Sequence, residues 1–193
     1  KTYYQYMNTP EKGATMREIR RVHAEGKLPP AAAKFMAPTK AIEELYDLEK
    51  DPHELVNLAD SPEHRPILQR MRKAHLDWVL DTKDLGLIPE AEIAAREHEL
   101  GSRYAILRQP GAETLMRRIR DTASLTLEGP EALAKLIEAM DDADAAVRYW
   151  SAIGIGNLGP QAKSAAGLMR AAIEDDSPSV RIAAARALCR MGR

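Results

Sequence analysis

Apolar positions in this chain recur on two scales. Within segments they fall three and four residues apart, the stripe of an amphipathic helix, and in the C-terminal half whole segments return after 33 residues. DADAAVRYWSAIGIGNLG, from Asp142 to Gly159, lies over DDSPSVRIAAARALCRMG, from Asp175 to Gly192. Val147 falls on Val180, Arg148 on Arg181, Ala152 on Ala185, Leu158 on Met191 and Gly159 on Gly192. The same offset carries Leu136 to Met169 and Met140 to Ile173. A fixed period of this size marks stacked helix pairs, each too small to bury its apolar face alone. The punctuation agrees. Pro130 opens a helix reaching Met140, Asp144 caps a second that stops at Gly159, Pro160 opens the next, and Ser177-Pro178 starts the last, which stops at Gly192. Upstream, Glu113 to Leu125 keeps Leu115, Met116, Ile119 and Ala123 on one face without the repeat pattern, as expected of the atypical helix that caps a solenoid end.

The N-terminal half alternates differently. Thr2 to Met7 is aromatic and strand-like, Ala14 to Glu25 predicts a short helix stopped by Gly26, and Leu45-Tyr46-Asp47-Leu48 predicts a short strand. After a polar turn, Asp51-Pro52-His53-Glu54 has the spacing of a capping box with proline at the first helical position, and places Leu55 and Leu58 inward. Ser61-Pro62-Glu63 begins a longer helix to about Asp81, its first turn made irregular by Pro66, with an apolar line through Leu68, Met71, His75, Trp78 and Val79. Another helix, carrying Ile93, Ala94 and Leu100, runs from Pro89 to Gly101. Gly101 to Gly111 then reads as a connector.

Two resemblances follow from these residues. The repeated Asp-x-x-x-x-Val-Arg, at Asp142 with Val147-Arg148 and at Asp175 with Val180-Arg181, resembles short HEAT repeats, in which the aspartate and arginine commonly contact each other. ELYDLEKDPHELVNL resembles the C-terminal signature of the sulfatase family, matching at Glu44, Leu45, Tyr46, Asp47, Leu48, Asp51, Pro52, Glu54, Asn57 and Leu58. Trp78 followed by Thr82, Asp84, Leu85, Gly86, Pro89 and Glu90, and the upstream TPEKGATMREIRRVHAEGKL, are similar to bacterial sulfatases of the heparan N-sulfatase kind. The likeness covers about Lys1 to Glu92. It implies a mainly α chain: residues 1–100 an α+β remnant of the sulfatase C-terminal subdomain with one or two short strands, residues 101–193 a HEAT-like helical-repeat domain.

Composition changes this picture little. Lys and Arg number 28 against 29 Asp and Glu, so the balance offers no case for nucleic acid, and Arg117, Arg118 and Arg120 read as a solvated helix face. No apolar run approaches the ~20 residues of a membrane span. One cysteine, Cys189, excludes an internal disulfide framework.

The candidate chemistry is thin. Sulfatases, by the resemblance, use a formylglycine made from cysteine in C-x-P-x-R or C-x-A-x-R together with a calcium site, both far upstream of the signature. Cys189 is followed by Arg193, but Met191 stands in place of the proline or alanine, and the repeat register matches Cys189 to Gly156, so a packed, inert thiol is expected. Gly154-x-Gly156-x-x-Gly159 spells a dinucleotide fingerprint but ends a helix instead of opening one, which fits close helix approach better than phosphate binding. His23, His53, His64, His75 and His98 show no metal-ligand spacing, and His75 is expected in the core beside Trp78. Asp141-Asp142 and Asp175-Asp176 sit at repeat turns as caps.

No catalytic, cofactor-binding or metal-binding residue is therefore assigned. The expectation is the non-catalytic C-terminal portion of a sulfatase-type hydrolase, inactive alone. The missing catalytic domain would hold the calcium and formylglycine and act on a sulfate ester or N-sulfate of a glycan. Its partners are that domain and a sulfated glycan or protein on the repeat surface, and by the resemblance it is exported. A stand-alone protein-binding scaffold of helical repeats is the competing expectation.

Overall fold

The computed structural model describes residues 8–192 and divides into two compact units, Lys1–Arg72 and Lys73–Arg193. It is mainly helical, with no strand among the described residues. The aromatic stretch Thr2–Met7 lies outside the described residues.

In the first unit, α1 (Asn8–Lys12) and α2 (Ala14–Ala24) are tied by Arg20, whose Nε and Nη2 donate to the two oxygens of Glu11 at 3.0 and 2.7 Å. A third helix, α3 (Pro30–Phe35), follows. Residues 36–61 then form no regular element, which corrects two expectations. Leu45-Tyr46-Asp47-Leu48 is not a strand, because among the described residues only the Leu58 N–H, bonded to the Leu45 carbonyl, reaches it from across the loop, and one bond makes no ladder. Pro52 does not open a helix. Glu54 takes a positive φ of 54°, closing a turn in which its N–H donates to the Asp51 carbonyl at 3.1 Å, and a left-handed residue there ends any helix before its first full turn. Leu58 is half-buried, but Leu55 is exposed.

The helix α4 (Arg65–Thr82) begins after a 3₁₀ turn, Pro62–His64, and runs across the boundary of the two units. Its apolar line is only partly covered. Leu68 and Val79 are buried, but Met71, His75 and Trp78 face solvent, so His75 is not the core residue the periodicity predicted.

The second unit builds the repeats. After α5 (Glu90–Leu100) and a 3₁₀ segment (Arg103–Arg108), α6 (Ala112–Leu125) packs on the array. Two helix pairs follow, α7 (Leu133–Ala139) with α8 (Ala145–Leu158), then α9 (Ala166–Ala171) with α10 (Pro178–Arg190). The prolines predicted to open the first helices do so through 3₁₀ turns, Gly129–Ala132 and Gly159–Ala165. One buried cluster joins Leu136, Met140, Ile155, Met169, Val180 and Met191 along the repeats. A second joins Leu80, Ile88, Leu107, Met116, Ile119 and Val147 at their beginning.

The fingerprint glycines explain how closely the helices pack. A Cβ on Gly154 would stand 2.7 and 2.9 Å from the two Cδ atoms of Leu136, and one on Gly156 would stand 3.1 Å from both Cα and Cβ of Ala187. The motif serves helix contact.

Candidate functional site

The sulfatase-like signature forms a pinned loop. Leu45 is buried, and its N–H donates to Asn57 Oδ1 at 2.9 Å. The Leu58 N–H returns to the Leu45 carbonyl at 2.8 Å. Asn57 also accepts from the Ala59 N–H at 3.0 Å and donates Nδ2 to the Glu43 carbonyl at 2.9 Å. One amide side chain thus does for this segment what a partner strand would do, closing a loop whose ends meet in the manner of an Ω-loop. Replacing Asn57 with alanine should raise amide exchange at Leu45 and Ala59 by about tenfold, the equivalent of ~1.4 kcal/mol of lost hydrogen bonding. Unchanged protection would show that Asn57 is not the pin.

Two acidic residues of the signature, Asp47 and Asp51, are spent in the same way. Asp47 Oδ1 accepts from the Glu49 N–H at 3.2 Å, while the Asp47 carbonyl accepts from Lys50 and Asp51. The Lys50 ammonium, 3.0 Å away, is the main reason the Asp47 carboxyl sits below its ordinary pKa. Asp51 Oδ2 accepts from the Val56 N–H at 2.7 Å, and that bond, followed by the Leu55 N–H, lowers the Asp51 pKa. The expected capping box is absent, since the Asp51 N–H goes to the Asp47 carbonyl and not to Glu54. Burial, then the nearby carboxylates of Glu44 and Glu54, raise the Tyr46 phenol above its usual value. Arg72 of α4 holds Glu43 with both arms of its guanidinium, and Lys34 of α3 holds the Leu55 carbonyl. The carboxylates of Glu43, Asp47 and Asp51 are engaged in hydrogen bonds that shape the loop, whereas Ile42, Leu48 and Val56, each about 60% exposed or more, point outward.

In the second unit the repeated polar residues form a ladder. Asp142 and Asp175 each accept the N–H two residues on, from Asp144 at 2.7 Å and Ser177 at 2.8 Å. Arg148 and Arg181 each donate Nη1 to the two carbonyls of their own turn, Asp142 with Ala143 and Asp175 with Asp176. The resemblance implied a contact between aspartate and arginine of one repeat, and within a repeat this contact goes to the backbone carbonyl alone. The carboxylate is taken by a helix one pair earlier in the chain. Arg148 Nε and Nη2 grip Asp175 at 2.8 and 2.9 Å, and Arg118 of α6 lies 3.2 Å from Asp142.

A second tie comes from α5. Arg96 Nη2 lies 2.9 Å from both oxygens of Asp144, the N-cap of α8, and Glu92 Oε1 accepts the hydroxyl of Ser177, the N-cap of α10, at 2.6 Å. Trp150 Nε1 donates to the Leu87 carbonyl at 2.6 Å. Nothing in the spacing of Glu92 and Arg96 announced this role. The one available signal is that Asp144 and Ser177 are themselves a repeat apart.

Two open grooves lie in this unit. One, of about 540 Å³, runs between α6 and α7 and is lined by Arg118, Asp121, Lys135, Glu138 and Asp142. The other, of about 480 Å³, lies beside the start of α6 among Lys83, Arg108 and Glu113. Both mix charges of either sign, with no acid-base pair or nucleophile set against a deep wall. Arg117 and Arg120, read as a solvated face, are ion-paired with Glu113 and Asp121.

The residues present do not fit the sulfatase cofactors. Among the described residues, no three His, Cys, Asp or Glu side chains are gathered closely enough to hold a metal ion. Cys189 is exposed on α10, not packed as its register with buried Gly156 predicted. Among the described residues, no helix is long and apolar enough to cross a membrane.

Parts of the chain are similar to known proteins. Residues 131–193 match HEAT repeats. Over 91 residues, 47% of this chain, the sequence is 37% identical to the ulvan-active sulfatase of Formosa agariphila, covering 15% of that protein. Over 78 residues, 39% of the chain, it is 37% identical to the Delta 4,5-hexuronate-2-O-sulfatase of Bacteroides thetaiotaomicron, covering 16% of it. The chain thus matches less than a fifth of the length of either relative. No solved structure matches it. Sulfatase homologues therefore cover part of this chain, and HEAT repeats occupy its last third.

Proposed function

We propose that this chain is the C-terminal, non-catalytic portion of an exported sulfatase-type hydrolase, supporting a catalytic domain that removes sulfate from a glycan. The observation that carries this reading is the signature loop. Its polar side chains Asp47, Asp51 and Asn57 are engaged in shaping backbone, which suits a structural role better than that of nucleophile or acid. Its outward apolar residues, Ile42, Leu48 and Val56, form the kind of surface a catalytic domain would cover. The names of both relatives, one for ulvan and one for a 2-O-sulfated hexuronate, favour a sulfated saccharide as substrate. Calcium and formylglycine belong to that catalytic domain in this reading.

The pure chain, supplied with calcium and a chromogenic aryl sulfate, is expected to give no turnover above buffer. Steady hydrolysis would place a catalytic group within these residues and overturn the proposal. The scaffold reading draws on the ladder of stacked repeats. It would be favoured if the coding sequence upstream of Lys1 carried no C-x-P-x-R or C-x-A-x-R motif.

A further inference from the structure

The two repeats match residue for residue but differ in what covers them. Met140, at the C-terminal end of α7, is 6% exposed, and its counterpart Ile173 is 37% exposed. On α8, Ala152 is fully buried and Gly156 is buried against Ala187, whereas their counterparts on α10, Ala185 and Cys189, are exposed. Tyr149 is half-buried, and its counterpart Ile182 is 71% exposed. At Gly159 a Cβ would meet the Arg190 carbonyl at 3.3 Å, while at Gly192 it would meet nothing within 4 Å.

Charge tells the same story independently. Arg148 holds its own turn with Nη1 and grips the next repeat's Asp175 with Nε and Nη2. Arg181 holds its own turn identically with Nη1 and makes no comparable two-armed grip among the described residues, the Asp175 carboxylate acting on it only as a nearby charge. Arg186 and Arg190 are exposed farther round the same helix, where Arg186 Nη2 donates to Asn157 Oδ1 at 3.5 Å.

We propose that this face, with Ile173, Ile182, Ala185 and Cys189 at its centre and Arg181 at its head, seats a third helix pair in series with the two described. That pair opens its second helix with an aspartate that accepts from Arg181 as Asp175 accepts from Arg148. The contact continues the α8–α10 interface by one step. A solenoid's terminal repeat ordinarily turns a polar face outward, whereas here exposed Ile182, Ala185 and Cys189 lie among the arginines. Because Cys189 is larger than Gly156, the seated helix carries glycine where α10 carries Ala187.

The test extends the full chain from position 193 with a copy of residues 160–192, glycine replacing the copy's counterpart of Ala187. Seating of the added pair should slow the reaction of Cys189 with a maleimide at least tenfold and raise the thermal midpoint by several degrees. Asparagine in place of the copy's aspartate should reverse much of the rise, since it keeps the turn but loses the charge. Ala185→Arg should leave the unextended chain's midpoint unchanged, because the site is exposed, and should restore Cys189 reactivity in the extended one. Unaltered Cys189 reactivity on extension, with the added residues non-helical by circular dichroism, overturns the proposal. So does a concentration-dependent dimer of the unextended chain that shields Cys189, which would make a second copy the occupant. Protection of Cys189 by a sulfated polysaccharide alone would also overturn it, assigning the three arginines to a glycan.

Discussion

Leu136→Ala is expected to destabilise the repeat unit by about 3 kcal/mol, read from the urea midpoint of the chain. Leu136 is 1% exposed and sits between the two helices of its pair, so truncation removes buried methyl groups and leaves a void. The site also permits a sharper test. Gly154→Ala alone gains helix propensity of up to ~1 kcal/mol, but its Cβ would stand 2.7 and 2.9 Å from the Leu136 Cδ atoms, well inside contact distance. Overpacking of that kind costs about 1–3 kcal/mol. In the Leu136→Ala background those Cδ atoms are gone, the clash disappears and the new methyl partly fills the void. Leu136→Ala with Gly154→Ala should therefore be more stable than the sum of the two single changes by at least ~1 kcal/mol. Simple additivity would mean that the helices move apart to accept the Cβ and that their spacing is not set by this contact.

The second large effect is at Asp175. Its side chain is 12% exposed and that of Arg148 17%, and the pair makes two charge-assisted hydrogen bonds. Asp175→Ala removes both, strips the Ser177 N–H of its acceptor and leaves a guanidinium largely out of water, for an expected loss of about 2–3 kcal/mol. The Arg148 hydrogen bond is the main cause of the lowered Asp175 pKa, and burial partly opposes it. A carboxylate whose pKa is depressed on folding stabilises the fold above its unfolded value, about 3.9, and loses that contribution as pH falls through the folded value. The advantage of the native chain over Asp175→Asn should accordingly be flat around neutral pH and shrink below about pH 4. An advantage independent of pH down to full acid unfolding would assign the effect to shape and not charge.

These two sites also mark what the sequence made legible. The repeat half was readable because each position is written twice, so Asp144, Ser177, Pro178 and Gly159 punctuate the helices where they are found. The resemblance to HEAT repeats implied that Arg148 meets Asp142 but could not say which carboxylate it grips, since that depends on how one pair stacks on the next. The signature loop was misread for a related reason. LYDL has strand alternation, but its pairing partner is the Asn57 side chain, and DPHE has the letters of a capping box without the apolar period of a helix behind it. Met71, His75 and Trp78 show a third limit. A 3.6-residue period reveals that α4 has an apolar face, not whether these residues cover it.

The two side chains on α5 have a mechanical consequence. Glu92 and Arg96 are one helical turn apart, about 6 Å along the axis, and each is fastened to the start of a different inner helix. Superhelical arrays ordinarily flex like springs by opening adjacent layers. Here a rigid rod is riveted across the joint between α8 and α10, so opening that joint must first break both of these ties.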